Sequence, residues 1–246
     1  MNGNGAIELS GVSKTFYRHS GRQLLRKHLQ GLIGSGHKER FFALKDISFR
    51  IGSGEGVALV GSNGAGKSTL LSVISGLAAP DAGRLAVTGR IGALLQLGAG
   101  FHPDLTGIEN VELNAALLGY SRGRTRELFD QIAAFAEIED FMGDHLRTYS
   151  NGMVMRLAFA VAAHMDLDIL IVDEVLAVGD YAFQAKCRAR IQELKKAGKT
   201  LLAVSHAAAG IEDLCERAIW LDHGAVVADG RLSEVVAAYE GRRTKV

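Results

Sequence analysis

The chain has 246 residues, 48% of them hydrophobic, and its 28 Lys and Arg nearly balance its 27 Asp and Glu, for a formal charge of +1. This content suits one large domain, or a core with an inserted subdomain, and excludes a disordered protein. The small net charge gives no global field that would attract nucleic acid, so we expect no nucleic-acid partner. No stretch reaches the ~18 consecutive apolar residues of a membrane span, and no leader pattern opens the chain. We therefore expect a cytoplasmic protein.

Strand patterns occur at both ends of the chain, with helical patterns between them. Short apolar runs predict strands at residues 6–9, 43–51, 56–60, 167–172 and 200–204. Helical periodicity at 108–118, 124–135 and 153–163 indicates a helical insertion, and a short helix is predicted at 232–239. Polar residues follow the buried strands, where open α/β sheets bind ligands. The two cysteines, Cys187 and Cys215, lack metal-like or redox spacing, so we expect both to be buried in a reducing compartment.

The segment after the strand at 56–60 carries the most specific chemistry. Residues 61–69, which we call the phosphate loop, satisfy the pattern G-x-x-x-x-G-K-[ST], and an apolar helical run follows at 70–77. In this pattern backbone N–H groups cradle the phosphates of a nucleoside triphosphate, the lysine supplies a charge and the next hydroxyl binds Mg²⁺. The expected nucleotide-binding residues are Gly61, Ser62, Asn63, Gly64, Ala65, Gly66, Lys67, Ser68 and Thr69.

Asp173 and Glu174 follow the predicted strand at 167–172. An aspartate at a strand end can hold Mg²⁺, and the adjacent glutamate can polarise the water that attacks the γ-phosphate. Acidic residues also end many strands without a catalytic role, so this interpretation depends on the phosphate loop. His206 follows the next predicted strand and is a candidate γ-phosphate contact, although a lone histidine is more often structural.

Residues 149–153, Tyr-Ser-Asn-Gly-Met, lie directly before a predicted helix. A serine cap and a glycine at a helix N-terminus present N–H groups and a positive dipole to an anion. This segment resembles the signature sequence of the ATP-binding cassette (ABC) family, with S-N-G-M in place of the commoner S-G-G-Q. A local helix cap is the alternative interpretation. The resemblance implies that Ser150, Asn151, Gly152 and Met153 contact the γ-phosphate of ATP held by the opposite subunit.

Other landmarks of this family follow in order along the chain. Phe16 matches the aromatic residue that stacks on adenine, with Tyr17 as the competing candidate. Gln96 matches the glutamine that touches Mg²⁺ and the attacking water. Asp180 matches the acidic position of a loop that crosses the dimer interface, and the resemblance implies that it belongs to the ATP-binding residues. His206 matches the switch histidine. The resemblance implies that Glu174, His206, Gln96 and Lys67 catalyse ATP hydrolysis and that Ser68, Gln96 and Asp173 bind Mg²⁺.

The implied fold is a P-loop NTPase (RecA-like) α/β core of the ABC ATPase type, with a β-rich N-terminal subdomain and an inserted α-helical subdomain. The catalytic core with its β subdomain is expected at about residues 1–95 and 166–246, and the helical subdomain at about 96–165. One ABC domain thus fills residues 1–246. No C-terminal carbohydrate-binding domain is expected, because only a short helix and a basic tail follow residue 230.

Residues 97–110 and 173–180 closely resemble the ATPase subunits of bacterial polysaccharide exporters, which move O-antigen, capsule or teichoic acid. Importer ATPases more usually carry Ser-Gly-Gly-Gln and continue the acidic pair with Pro-Thr-Ser, which this chain lacks. The resemblance implies a homodimer that sandwiches two ATP molecules and docks, around residues 96–102, on a polytopic permease at the cytoplasmic face of the bacterial inner membrane. The exported lipid-linked polysaccharide is contacted only indirectly.

Residues 17–42 form a basic insert, with six Arg or Lys and one acid. Leu25, Leu29, Leu32 and Ile33 recur at helical spacing, which predicts a short amphipathic helix. Such a helix suits an anionic lipid surface, a pyrophosphate-bearing substrate or an acidic partner surface. A helix that packs its leucines on its own domain is the alternative.

Three other functions share the phosphate loop. The first is an ABC ATPase with a different cargo. The second is an ABC protein acting on ribosomes or DNA, but such proteins usually have two cassettes in one chain or a long coiled coil, and neither pattern is found in this sequence. The third, a phosphoryl-transferring kinase, would not need the segment at 150–152.

Overall fold

Two β-sheets and six α-helices organise the residues that the computed structural model describes, which are 6–18, 39–93, 100–172, 179–205 and 211–243. The strands are β1 (Ala6–Arg18), β2 (Glu39–Ile51), β3 (Gly56–Val60), β4 (Ala82–Thr88), β5 (Ile91–Ala93), β6 (Ile169–Val172), β7 (Thr200–Ser205), β8 (Arg217–Asp222) and β9 (Ala225–Arg231). The helices are α1 (Lys67–Ile74), α2 (Gly107–Leu117), α3 (Arg122–Ala136), α4 (Asn151–His164), α5 (Tyr181–Lys196) and α6 (Leu232–Arg243).

The larger sheet has six strands in the order β5-β6-β7-β3-β8-β9. The first five are parallel to their neighbours, and β9 is antiparallel to β8. The register pairs Val60 with Ser205 and Val172 with Ala203, so β3, β7 and β6 end at the same edge. This confirms the expected convergence of strand ends, which is where parallel sheets bind ligands.

Strand β3 is buried on both faces, and its side chains belong to two hydrophobic clusters. Ala58 and Val60 join a cluster with the helices α2 to α6, whereas Val57 and Leu59 join another with β1, β2 and α1. Side chains alternate across a strand, so a continuous apolar run covers both faces. The sheet is therefore held between two packed layers, and its edge cannot move independently of them.

The smaller sheet is antiparallel, with the order β2-β1-β4. Its strands extend beyond the predicted apolar runs: β1 continues to Arg18 and β2 begins at Glu39. Residues 17–18 and 39–42 of the basic insert lie in these two paired strands, and the insert at 17–42 stays a prediction. The predicted amphipathic helix lies within 19–38, outside the described residues.

Helices α2, α3 and α4 follow one another between β5 and β6, as the helical patterns predicted. Helix α2 begins with a capping box, in which Thr106 accepts a hydrogen bond from the Glu109 N–H and Glu109 accepts one from Thr106. The division of the chain into subdomains stays a prediction. Among the described residues, no helix is both long enough and apolar enough to cross a membrane.

Several elements lacked a prediction, namely β4, β5, β8, β9 and α5. Helix α5 was missed because its buried residues, Phe183, Cys187 and Ile191, are widely spaced among charged ones. Helix α1 begins at Lys67, before the apolar run that predicted it, because the phosphate loop itself starts the helix.

Cys187 and Cys215 are each 1% exposed and not disulfide-bonded, which confirms the expected buried packing. Burial disfavours the thiolate and raises the pKa of each thiol to about 12. The thiolate is the reactive form, so both groups are chemically inert in the folded chain.

We expect neither cysteine to react with a thiol reagent at pH 8 in the native protein, and both to react once guanidinium unfolds it. Counting modified thiols by mass spectrometry tests this. A variant with a cysteine at an exposed position on α2, Ala116→Cys, should gain one rapidly labelled thiol and shows that the reagent is competent. Rapid labelling of either native cysteine would contradict the buried placement.

Candidate functional site

The phosphate loop turns tightly between β3 and α1 against the backbones of two other strands. Gly66 has a left-handed φ of 107°, and a Cβ there would lie 2.6 Å from the carbonyl oxygen of Ala43 in β2. A Cβ at Gly61 would lie 2.3 Å from the carbonyl oxygen of Leu221 in β8. Real side chains do not tolerate such approaches, so both positions require glycine.

Lys67 folds back into the phosphate loop and is 8% exposed. Its Nζ donates hydrogen bonds to the carbonyl oxygens of Gly61, at 2.5 Å, and Ser62, at 3.0 Å. Both carbonyls orient the ammonium toward the phosphate loop, and a positive charge placed there favours an anion.

The start of α1 also suits an anion. Its N-cap, Gly66, contributes no side-chain hydrogen bond, and its first turn contains no acidic residue, so the positive end of the helix dipole is not offset locally. The side chains of Ser62, Asn63 and Ser68 are exposed beside it. These residues fit the triphosphate of a nucleotide, and the Ser68 hydroxyl fits a ligand of Mg²⁺.

A cleft of about 680 Å³ runs from the phosphate loop to the end of the smaller sheet; we call it the nucleotide cleft. One end is polar and glycine-rich, and the other is aromatic, as expected for a ligand with phosphates and a flat ring. Its lining residues are Phe16, Phe41, Phe42, Ala43, Lys45, Ser62, Asn63, Gly64, Gly66, Lys67, Ser68, Thr69, Leu71, Val204, His223 and Gly224.

Phe16 lines the nucleotide cleft, and Tyr17 does not. Successive side chains of a strand face opposite ways, so only one of the two can serve this cleft. The Phe16 ring lies beside that of Phe41 on the paired strand, with centroids 6.0 Å apart and planes tilted by 32°. Both rings are nearly half exposed, at 43% and 48%. The geometry favours Phe16 as the residue that stacks on a base.

Three hydrogen bonds to Asp81 fix β1 immediately before Phe16. Asp81 accepts hydrogen bonds from the Thr15 N–H at 2.7 Å, the Thr15 hydroxyl at 2.6 Å and the Lys14 ammonium at 2.9 Å. These hydrogen bonds, led by that of the Thr15 hydroxyl, hold the pKa of the Asp81 carboxyl far below its usual range. The Asp81 carboxylate therefore stays ionised at neutral pH, and its hydrogen bonds hold Phe16 in place beside the cleft.

Eight lining residues of the nucleotide cleft were not predicted as site residues, and three of them, Ala43, Leu71 and Val204, lie in predicted strands or the predicted helical run. Phe41 and Phe42 were counted with the basic insert, and Lys45, His223 and Gly224 carried no motif. Two adjacent phenylalanines at the start of an amphipathic strand were an available signal, because exposed aromatic pairs often mark binding surfaces. The glycine in the β8–β9 turn, Gly224, was a weaker signal.

The signature segment, residues 149–153, starts α4 as predicted. Ser150 is the N-cap, and its hydroxyl accepts a hydrogen bond from the Met153 N–H at 3.2 Å. Asn151 and Gly152 are exposed, and the first turn carries no acidic residue. None of these residues lines the nucleotide cleft. Within one chain, the phosphate loop and the signature segment therefore belong to separate surfaces.

Asp180 is the N-cap of α5. Its Oδ1 accepts a hydrogen bond from the Phe183 N–H at 2.9 Å, and its Oδ2 accepts one from Arg156 at 2.7 Å. The Phe183 N–H, with smaller help from Arg156, holds the pKa of the Asp180 carboxyl below its ordinary value. Asp180 is therefore an anion bound to α4 as well as the start of α5.

Four predicted site residues, Gln96, Asp173, Glu174 and His206, lie outside the described residues. The strands that precede three of them are described: β6 ends at Val172 and β7 ends at Ser205. Both strands stop at the edge where β3 enters the phosphate loop. The roles expected for these four residues stay predictions.

Comparison with known proteins assigns the class of this architecture. The structure is similar to the dimeric ATP-binding cassette MJ0796, which was solved in a post-hydrolysis state bound to ADP and Pi. The TM-score is 0.72 at 26% sequence identity, and the match covers 92% of this chain and 98% of that one. An ATP-binding subunit of an ABC transporter gives a TM-score of 0.76 at 23% identity, covering 95% and 93%, and supports the fold alone. The predicted ABC ATPase fold is confirmed.

The model of the ABC transporter family matches residues 44–177, and the chain belongs to this family. It is 46% identical over 242 residues to the O-antigen export system ATP-binding protein RfbB of Myxococcus xanthus, spanning 95% of this chain and 55% of that protein. The Klebsiella pneumoniae protein of the same name is 42% identical over 238 residues, spanning 95% and 97%. The teichoic acids export ATP-binding protein TagH of Bacillus anthracis is 40% identical over 202 residues, spanning 82% and 37%. The resemblance stated from the sequence is confirmed.

The placement of the two adjacent aromatics gives a direct test. Phe16→Ala should weaken ATP binding by about tenfold, because stacking of a base on an aromatic ring contributes ~1–3 kcal/mol. Tyr17→Ala is the matched control and should leave the affinity within about twofold, since Tyr17 does not line the cleft. Titration with a fluorescent ATP analogue measures both. The reverse order of effects would reassign the base contact to Tyr17.

Proposed function

We propose that this chain is the ATP-hydrolysing subunit of an ABC transporter that exports a lipid-linked polysaccharide of the O-antigen, capsule or teichoic-acid type. The observation that carries the ATPase part is the nucleotide cleft, which joins Lys67 and the phosphate loop to Phe16. The assignment of the cargo rests on the relatives, which include both O-antigen and teichoic-acid export proteins. One of these relatives, from Klebsiella pneumoniae, is spanned almost completely by this chain, over 97% of its length.

In the proposed mechanism, the phosphate loop holds the triphosphate and Phe16 holds the adenine. Lys67 orients the phosphates and offsets their charge, and the Ser68 hydroxyl would hold Mg²⁺ together with Gln96 and Asp173. When bound, Mg²⁺ supplies further positive charge at the β- and γ-phosphates. Glu174 takes the proton of the attacking water, and His206 contacts the γ-phosphate. Each assignment follows the family pattern at that position.

A second copy of the chain completes the site in this proposal. The exposed start of α4, with Ser150 and Gly152, would cover the γ-phosphate held by the other copy's phosphate loop. The separation of these two surfaces within one chain supports this arrangement, as does the dimeric state of MJ0796. Closure of the dimer would move a polytopic permease docked around residues 96–102, at the cytoplasmic face of the bacterial inner membrane.

Glu174→Gln should keep ATP binding while stopping turnover, because the amide preserves shape but cannot accept the water's proton. An ATP-bound dimer should then accumulate, which sedimentation velocity with and without ATP detects. Lys67→Ala is the contrast and should lose both ATP binding and the dimer. Undiminished phosphate release by Glu174→Gln would remove Glu174 from the role of base.

The cargo is tested in the source cell by deleting the coding sequence of this chain. We expect surface polysaccharide to disappear and its lipid-linked form to accumulate inside, as seen by gel staining and lipid extraction. The wild-type sequence should restore the surface polymer, whereas Glu174→Gln should not. Normal surface polysaccharide in the deletion strain would favour a different transport cargo, and co-purification with ribosomes would favour the non-transport alternative.

A further inference from the structure

Arg156 joins three elements around one guanidinium. It lies on α4, six residues after Ser150, and its side chain is 18% exposed. One terminal nitrogen donates a hydrogen bond to Glu137 Oε2 at 2.7 Å, and the other donates one to Asp180 Oδ2 at 2.7 Å. Glu137 is the C-cap of α3 and Asp180 the N-cap of α5. One side chain therefore ties the signature helix α4 to the end of α3 and to the start of α5.

The environment of Arg156 makes these contacts rigid. Its guanidinium carbon lies 4.7 Å from the centroid of the Phe183 ring, which is 1% exposed. A planar guanidinium can stack on a ring and still donate from both ends in fixed directions, which lysine cannot do. Both carboxylates are more than half exposed, at 51% for Glu137 and 63% for Asp180, so it is the fixed geometry of the guanidinium, more than burial, that defines these pairs.

Glu137 ends α3 in a backbone conformation that is unusual for a residue with a side chain. Its φ and ψ are 59° and 43°, a left-handed conformation that favours glycine at a helix C-terminus. Its carboxylate also accepts a hydrogen bond from Lys186 of α5 at 3.0 Å. This bond, together with the contact to Arg156, holds the pKa of the Glu137 carboxyl below its usual value. Glu137 keeps this unfavourable backbone conformation while its carboxylate contacts two cations, which indicates a functional role for the carboxylate.

The bond from Arg156 to Asp180 is likewise more than a helix cap requires. Asp180 Oδ1 already caps α5 through the Phe183 N–H, and a single acceptor atom is sufficient for that purpose. The second oxygen, Oδ2, accepts the hydrogen bond from Arg156.

We propose that Arg156 is a positioning residue for ATP-driven dimerisation. It holds the signature segment and Asp180 as one unit, anchored on Glu137, so that both meet the partner copy's nucleotide together. This inference rests on the proposed function. It adds two residues, Arg156 and Glu137, that touch neither nucleotide nor the reacting atoms but set the geometry of those that do.

The test measures dimer formation with ATP by sedimentation in the Glu174→Gln parent. Arg156→Gln and Glu137→Gln should each lower the association constant by about tenfold, the usual effect of losing a hydrogen bond to a charged group. ATP affinity of the single subunit should stay at the parent value, since neither residue lines the nucleotide cleft. Arg156→Lys should recover only part of the loss, because an ammonium cannot span both carboxylates.

Two further variants separate positioning from folding stability. Glu137→Gly removes the carboxylate but relieves the left-handed strain, so it should weaken the dimer while the melting temperature falls little. Arg124→Gln is the matched control, because Arg124 forms an exposed pair with Glu127 at 2.6 Å on α3; it should leave the dimer unchanged.

The outcomes are distinguishable. If the parent dimerises with ATP and Arg156→Gln and Glu137→Gly dimerise equally well, the positioning role is wrong and the proposed function stands. A loss of ATP affinity parallel to the loss of dimer also overturns the positioning role, because it indicates general structural damage. If the Glu174→Gln parent itself forms no dimer with ATP, the proposed function falls and this inference falls with it.

Discussion

The carbonyl oxygen of Ala43 is the point on which the nucleotide cleft depends. It lies 2.6 Å from where a Cβ would begin at Gly66 and equally close to where one would begin at Gly224. Hydrogen bonds continue the contact: the Lys45 N–H donates to the Gly224 carbonyl at 2.6 Å, and the Gly224 N–H donates to the Ala65 carbonyl at 2.9 Å. Strand β2, the β8–β9 turn and the phosphate loop are thus fixed backbone to backbone.

This contact couples the two ends of the nucleotide cleft. Ala43 follows directly after Phe41 and Phe42, which line the aromatic end of the cleft, and its carbonyl packs on the glycine that precedes Lys67. A shift of β2 would move both the base-binding face and the phosphate loop. The glycines are required for the close approach, since any side chain at Gly66 would push β2 away from α1. Affinity for the base and for the phosphates therefore depends on one packing arrangement.

The residues that the sequence could predict are those whose structure is set by close neighbours. The phosphate loop, the Ser150 cap and the strand β3 are each specified within about ten residues of chain, by glycine geometry, a short polar side chain or an apolar run. Phe41 was assigned to the basic insert because its partner, Phe16, is distant in sequence and their pairing depends on register shifts between Leu9 and Thr15. Arg156 was missed for the same reason, since its two carboxylates come from different elements.

The negative charge of a triphosphate favours a second positive surface over the nucleotide cleft. The described lining of the nucleotide cleft includes Lys45 and Lys67 but no acidic side chain, and a triphosphate carries several negative charges. The start of α4 offers the complementary surface, because it carries the positive end of the helix dipole and its first turn has no acidic residue. In the proposed homodimer, the start of α4 of a second copy would neutralise the outer charge of the nucleotide. The dimer would then be stable with ATP and weaker after the γ-phosphate leaves, because the charge that joins the two surfaces is gone.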